Sequence, residues 1–162
     1  KVVFPLEIMP WVSMLVALFN AAVSLLILVV FYLVVHGLPP ATFLLLPIVI
    51  FPLVLWILGL GWFLSSAGVY LRDVQPFVGL LTTMMMFLSP IFYPLSAIPE
   101  DYRGLIQLNP LTHVLNTSKS VMFWGQMPHW IDWLLYVVFS WVVGWMGFVW
   151  FQKTRKGFAD VV

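Results

Sequence analysis

An all-α integral membrane domain is the fold class this sequence predicts, and two observations carry it. The 64 residues from Ile8 to Leu71 contain no Lys, Arg, Asp or Glu, and neither do the 26 from Val74 to Pro99. The chain as a whole is 63% hydrophobic and 8% charged, with a mean hydropathy of +1.07, where soluble domains carry about 25% charged residues. Seven basic and six acidic side chains cannot cover a soluble domain of 162 residues, and an apolar surface of that extent would aggregate.

The elements follow in order. A bilayer core about 30 Å thick takes roughly 20 apolar residues of helix. Residues 12–35 are long enough for a first span, and HGLPPA at 36–41 reads as a tight turn. Residues 42–70 form a second, long span with Pro47, Pro52, Gly59 and Gly61 inside it, which predicts kinks and close helix contacts. After YLRDVQPF, residues 77–93 form a third span, broken late by Pro90 and Pro94. Residues 131–151 form a fourth, rich in Trp, and the tail beyond is polar and basic.

Residues 96–130 are too long for a simple hairpin and too apolar for a solvated one. PEDYRGLIQL has the Pro-acid start of a helix N-terminus. Asn109-Pro110 is a capping residue followed by proline at the first helical position, and the run after it stops at Gly125. Two helices of about ten residues cannot span a membrane. They either lie at the interface as amphipathic covers or dip in and return where protein or a watery cavity surrounds them. The chain begins with Lys1, and its first apolar segment has no signal-peptide pattern. The expectation is a piece of a longer protein whose N-terminal part is missing.

Four spans put both ends on one side, together with the loop between the second and third. That side collects Lys1, Arg72, Lys153, Arg155 and Lys156, against Arg103 and Lys119 opposite. The excess places the termini and the Arg72-Asp73 loop in the cytoplasm. The pair is then either a positive-inside anchor with its counter-charge or a contact with a cytoplasmic partner.

Catalytic chemistry is excluded at most positions. The chain has no cysteine, hence no disulfide and no thiolate ligand or nucleophile. Its net charge of +1 argues against nucleic acid. His36, His113 and His129 lack the spacing of a metal site, and GLGWFLSSAG has glycines but no lysine, so it is no phosphate loop. Ser65, Ser66 and Ser89 have no nearby base, and no carboxylate lies mid-span as a proton-coupled carrier needs. What remains is aromatic: nine Trp, fourteen Phe and five Tyr. Trp11, Trp130, Trp133 and Trp150 sit at span ends and fit an interfacial belt. Trp56, Trp62, Trp141 and Trp145 lie deeper, and flat aromatic faces suit the C–H faces of sugar rings. Phe87, Tyr93 and Trp124 are the candidate aromatics of such a conduit.

Five stretches in order resemble the permease subunits of type-2 ABC transporters, in particular those exporting O-antigen, capsule or teichoic acid. They are KVVFPLEIMP at 1–10, YLRDVQPF at 70–77, FLSPIFYPLSAIPE at 87–100, LNPLTHVL at 108–115 and the terminal FADVV. The resemblance implies six spans in the full protein, two of them absent here, and a pair of re-entrant helices on the outer side. It implies two copies around a central pathway in the bacterial inner membrane, over a separate ATPase subunit that binds the ATP, so that this chain carries no cofactor and is not itself an enzyme. Phe4, Pro5, Leu6 and Glu7 would belong to a coupling segment that contacts the ATPase, and Arg72 and Asp73 to the same face or to a cytoplasmic gate. Pro90 and Pro94 would bend the third span toward a second re-entrant helix begun by Asn109 and Pro110 and carrying Lys119. The implied cargo is a lipid-linked glycan. The rival readings are a type-2 permease for drugs or small lipids and a non-transporting scaffold for glycan assembly.

Overall fold

A computed structural model describes residues 6–71, 73–91, 93, 97–107 and 109–160. The described residues are helical throughout their regular structure. The order is a 3-10 turn at Leu6–Ile8, α1 (Met9–His36), a 3-10 turn at Ala41–Leu45, α2 (Leu46–Tyr70), α3 (Val74–Leu88), α4 (Glu100–Gln107), α5 (Pro110–Phe123), α6 (Trp130–Thr154) and a 3-10 segment at Arg155–Asp160.

Helix boundaries follow local chemistry. α1 ends at Gly37, whose φ of +82° suits glycine, and Pro39-Pro40 forbids continuation. α3 stops at Ser89, held at ψ 144° because Pro90 follows it and a residue before proline is pushed extended. α5 starts with Asn109 as its cap, the side-chain oxygen accepting from Leu111 N–H at 3.0 Å, and with Pro110 in its first turn.

The central packing is α2 on α6, and the two run parallel. Trp133 near the start of α6 meets Ile48 near the start of α2, and Thr154 at the end of α6 meets Ser66 and Tyr70 at the end of α2. Between these points the backbones approach through glycine. A Cβ on Gly59 would lie 2.6 Å from the Val143 carbonyl oxygen, and one on Gly147 would overlap the Gly59 carbonyl. Small residues permit such approach, and close packing replaces the hydrophobic drive that lipid does not supply. The buried cluster of Met14, Leu58, Trp62 and Phe151 joins α1, α2 and α6 at one end of this pair.

Among the described residues, three segments are long and apolar enough to cross a membrane: Met9–His36, Ala41–Tyr70 and Trp130–Phe158. The expected count of four is not met on length, because α3 has 15 residues, about 22 Å at 1.5 Å per residue. Since α2 and α6 run the same way, α3 and the residues after it return the chain to the end where α6 begins. α5 then packs on α2, with its last turn against the 3-10 turn that precedes α2: Thr42 Oγ1 donates to the Val121 carbonyl at 2.8 Å.

Candidate functional site

Two polar clusters interrupt the apolar bundle, one at each end. The first lies where α1 begins and α2 and α6 end, the side the basic residues assign to the cytoplasm. Glu7 sits in the opening 3-10 turn, and its carboxylate pairs with Arg155 and accepts from Gln152 Nε2 at 3.2 Å. Its backbone carbonyl accepts from Trp62 Nε1 at 3.2 Å. Trp62 is buried edge-on between Trp11 (6.0 Å) and Phe148 (5.1 Å). Next to this, the Tyr70 hydroxyl donates to the Thr154 carbonyl at 2.8 Å, and Ser66 Oγ meets Thr154 Oγ1 at 2.5 Å. Phe158 of the tail stacks edge-on against Tyr70 and Phe151.

The second cluster lies where α3 meets α5. Ser89, fully buried, donates to the Met85 carbonyl at 2.6 Å, and Asn109 Nδ2 donates to Ser89 Oγ at 3.0 Å. Lys119 Nζ donates to the Pro90 carbonyl at 2.5 Å. Two bonds from one helix, ten residues apart, thus hold the broken end of α3.

The sequence-predicted residues divide between these clusters and the surface. Glu7 turns inward. Leu6 opens the first turn, and Phe4, Pro5, Arg72 and Pro94 lie outside the described residues. Asp73 is exposed at the residue before α3, with no side-chain bond to the helix N-terminus. Pro90, Asn109, Pro110 and Lys119 come together at the α3–α5 junction. The three conduit aromatics do not share one contact set among the described residues. The Tyr93 hydroxyl donates to the Phe87 carbonyl at 2.9 Å, whereas Trp124 projects at the far end of α5 beside Phe123. Of the deeper tryptophans, Trp62, Trp141 and Trp145 line an apolar groove with Trp11 and Phe148 between α1, α2 and α6.

Sequence reasoning missed Arg155, Gln152, Ser89 and the role of Trp133. A signal existed for the first: Glu7 is the sole acid before Asp73, and an acid entering an apolar run needs a cation from the same side. A signal existed for Trp133 as well, because Pro52 leaves the Ile48 carbonyl without its helical donor.

A helical bundle with parallel α2 and α6, apolar along its length and with a polar knot at either end, describes a membrane-embedded helical domain. The chain belongs to the ABC-2 type transporter family, which it matches over residues 2–123. It is 27% identical to the O-antigen export system permease protein RfbA of Myxococcus xanthus in an alignment covering 100% of this chain and 63% of that protein. It is 24% identical to the RfbA protein of Klebsiella pneumoniae, again over 100% of this chain and 62% of the relative. The polysialic acid transport protein KpsM of Escherichia coli is 26% identical over 60% of this chain and 38% of its own length. The chain therefore spans a little under two thirds of the RfbA proteins it matches.

Proposed function

We propose that this chain is the greater part of a permease subunit that exports a polysaccharide across the bacterial inner membrane, driven by a separate ATP-binding subunit. The observation that carries the reading is the alignment of the whole chain with O-antigen export permeases; the match to a polysialic acid transport protein extends it to capsule-type glycans. Two copies would pair around a central pathway, and each ATP-bound ATPase dimer would favour one permease conformation over the other, which is what coupling requires. The fold supports the division of roles. The Glu7 end gathers the first turn, the ends of α2 and α6 and the basic tail, as a cytoplasmic coupling face would. The α3–α5 junction supports α4 and α5 as the re-entrant pair on the outer side, with Pro90, Asn109 and Lys119 as its hinge.

The test is co-purification of the full-length protein with its ATP-binding subunit, followed by export of a labelled lipid-linked glycan from inverted vesicles. A complex of two permeases and two ATPases that exports the glycan with ATP supports the reading. A permease that never retains an ATPase overturns it, and a complex that moves small hydrophobic compounds but no glycan moves the substrate class to drugs or lipids.

A further inference from the structure

We propose that Glu7 is a joint carrying motion of the opening turn into the helix bundle rather than an ATPase contact, and that Arg155 is the residue that positions it; this rests on reading the chain as an ABC-2 permease. A residue that touches a cytoplasmic partner presents its carboxylate outward. The Glu7 side chain is only 24% exposed, and its carboxylate is engaged by Arg155 and by Gln152. Among the described residues, this is the ion pair that joins segments far apart in sequence; the others link residues three apart. The backbone of the same residue is tied to Trp62. One residue of a short turn thus holds α2 through its carbonyl and the end of α6 through its side chain.

Both anchors are stiff. Trp62 belongs to the buried cluster with Met14, Leu58 and Phe151, so its ring cannot shift without carrying that cluster. Arg155 follows the last residue of α6, and Thr154 is fixed to α2 by the Tyr70 and Ser66 hydroxyls. The 3-10 segment that begins at Arg155 folds back so that Phe158 packs on Tyr70 and Phe151. A charge-assisted bond at a partly dry membrane surface is shorter and stronger than a neutral one. Because α2 and α6 are interlocked at Gly59 and Gly147, a displacement of the turn moves both helices as one body. Cutting the Glu7–Arg155 link leaves the turn held to α2 and α6 by the Trp62 and Gln152 hydrogen bonds alone, without an ion pair.

The experiment uses the full-length permease with its ATPase in proteoliposomes, and four proteins: wild type, Glu7→Gln, Arg155→Gln, and the exchange Glu7→Arg with Arg155→Glu. Each single variant is expected to retain the ATPase and to keep ATP turnover within twofold, while glycan exported per ATP falls at least fivefold. The exchange is expected to recover at least half of the lost export. These 162 residues hold no cysteine, so Glu7→Cys with Arg155→Cys, made in a full-length protein with any cysteine elsewhere replaced by serine and bridged by a reducible bifunctional thiol reagent, adds a reversible lock. Holding the two ends at a fixed distance should keep coupling above that of the unbridged pair, and reduction should remove the recovery. The joint is overturned if Glu7→Gln alone releases the ATPase while Arg155→Gln changes nothing, since Glu7 would then face the partner. It is equally overturned if neither the exchange nor the bridge exceeds the single variants. A wild-type permease that holds no ATPase overturns the permease reading itself and the joint with it, so the two failures are told apart by the wild-type lane.

Discussion

Replacing Trp133 with phenylalanine should destabilise the bundle by an amount that depends on Pro52, which lies on a different helix. Proline at 52 has no N–H, so the carbonyl four residues earlier, at Ile48, loses its helical donor. In hydrocarbon no water is present to replace it. Trp133 Nε1 replaces it, at 2.9 Å from the Ile48 oxygen. Removing that donor leaves an acceptor unsatisfied, a penalty of about 1–3 kcal/mol in buried sites, while hydrogen bonds between membrane helices measure about 0.6 kcal/mol on average and about 1.7 at most. We expect a coupling near 1 kcal/mol, a factor of about five in the folding equilibrium. Trp133→Phe also removes ring area, so the single variant cannot isolate the bond. Pro52→Ala can, because alanine restores the N–H and lets Ile48 bond within its own helix. The assay is a double-mutant cycle, read by reversible unfolding in mixed detergent and SDS with an extrinsic fluorophore. Trp133→Phe should cost about 1 kcal/mol less in the Pro52→Ala background than in the natural chain. Costs that agree in the two backgrounds to within about 0.3 kcal/mol, the level at which independent sites add, would refute the assignment of Trp133 to the proline's orphaned carbonyl.

Gly147→Ala should lower detergent melting temperature and monodisperse yield sharply, since its new methyl group overlaps the Gly59 carbonyl and overpacking costs about 1–3 kcal/mol or more. Gly68→Ala, in α2 with nothing within 4 Å of the added atom, should be neutral or stabilise by up to about 1 kcal/mol, which makes it the control in the same melts. Asn109→Ala should cost about 1–2 kcal/mol by removing the α5 cap, together with the bond to Ser89; Asn109→Asp should recover the cap share of that loss, and an unchanged melting temperature for Asn109→Ala would show that the junction carries no load. Thr112→Val should be neutral or stabilising in unfolding titrations, because the Thr112 hydroxyl is buried without a partner among the described residues, and removing an unsatisfied polar group leaves nothing orphaned.

The class of fold was legible because a chain this poor in charge has one kind of environment available to it, and the punctuation within the chain was legible for local reasons. Asn109-Pro110 opens a helix through the cap's own side chain, and Pro90 extends Ser89 by steric contact with its neighbour; both effects act across one or two peptide units. Gly59 was legible as a point of close approach, though not its partner. The partners are what sequence does not display, since they depend on α2 and α6 running parallel. Once that direction is known, a rule appears in the polar bonds. Trp133 reaches the Ile48 carbonyl, Lys119 the Pro90 carbonyl, Thr42 the Val121 carbonyl, Tyr70 the Thr154 carbonyl and Trp62 the Glu7 carbonyl. Each acceptor lies at a helix end or beside a proline, where the backbone has no intrahelical donor. In water such carbonyls are solvated without any side chain. In an apolar medium each needs a donor from a neighbouring element, so the few polar residues of this chain are placed by the breaks in other helices. Trp133, which reads from sequence as a belt residue, Trp62, which reads as a deeper aromatic, and Lys119 and Tyr70 are, in the folded chain, groups that satisfy its interrupted backbone. The Glu7–Arg155 bond differs from these five in joining two charged side chains and satisfying no carbonyl. Backbone satisfaction does not require that ion pair, which is why its role is sought in motion rather than in folding.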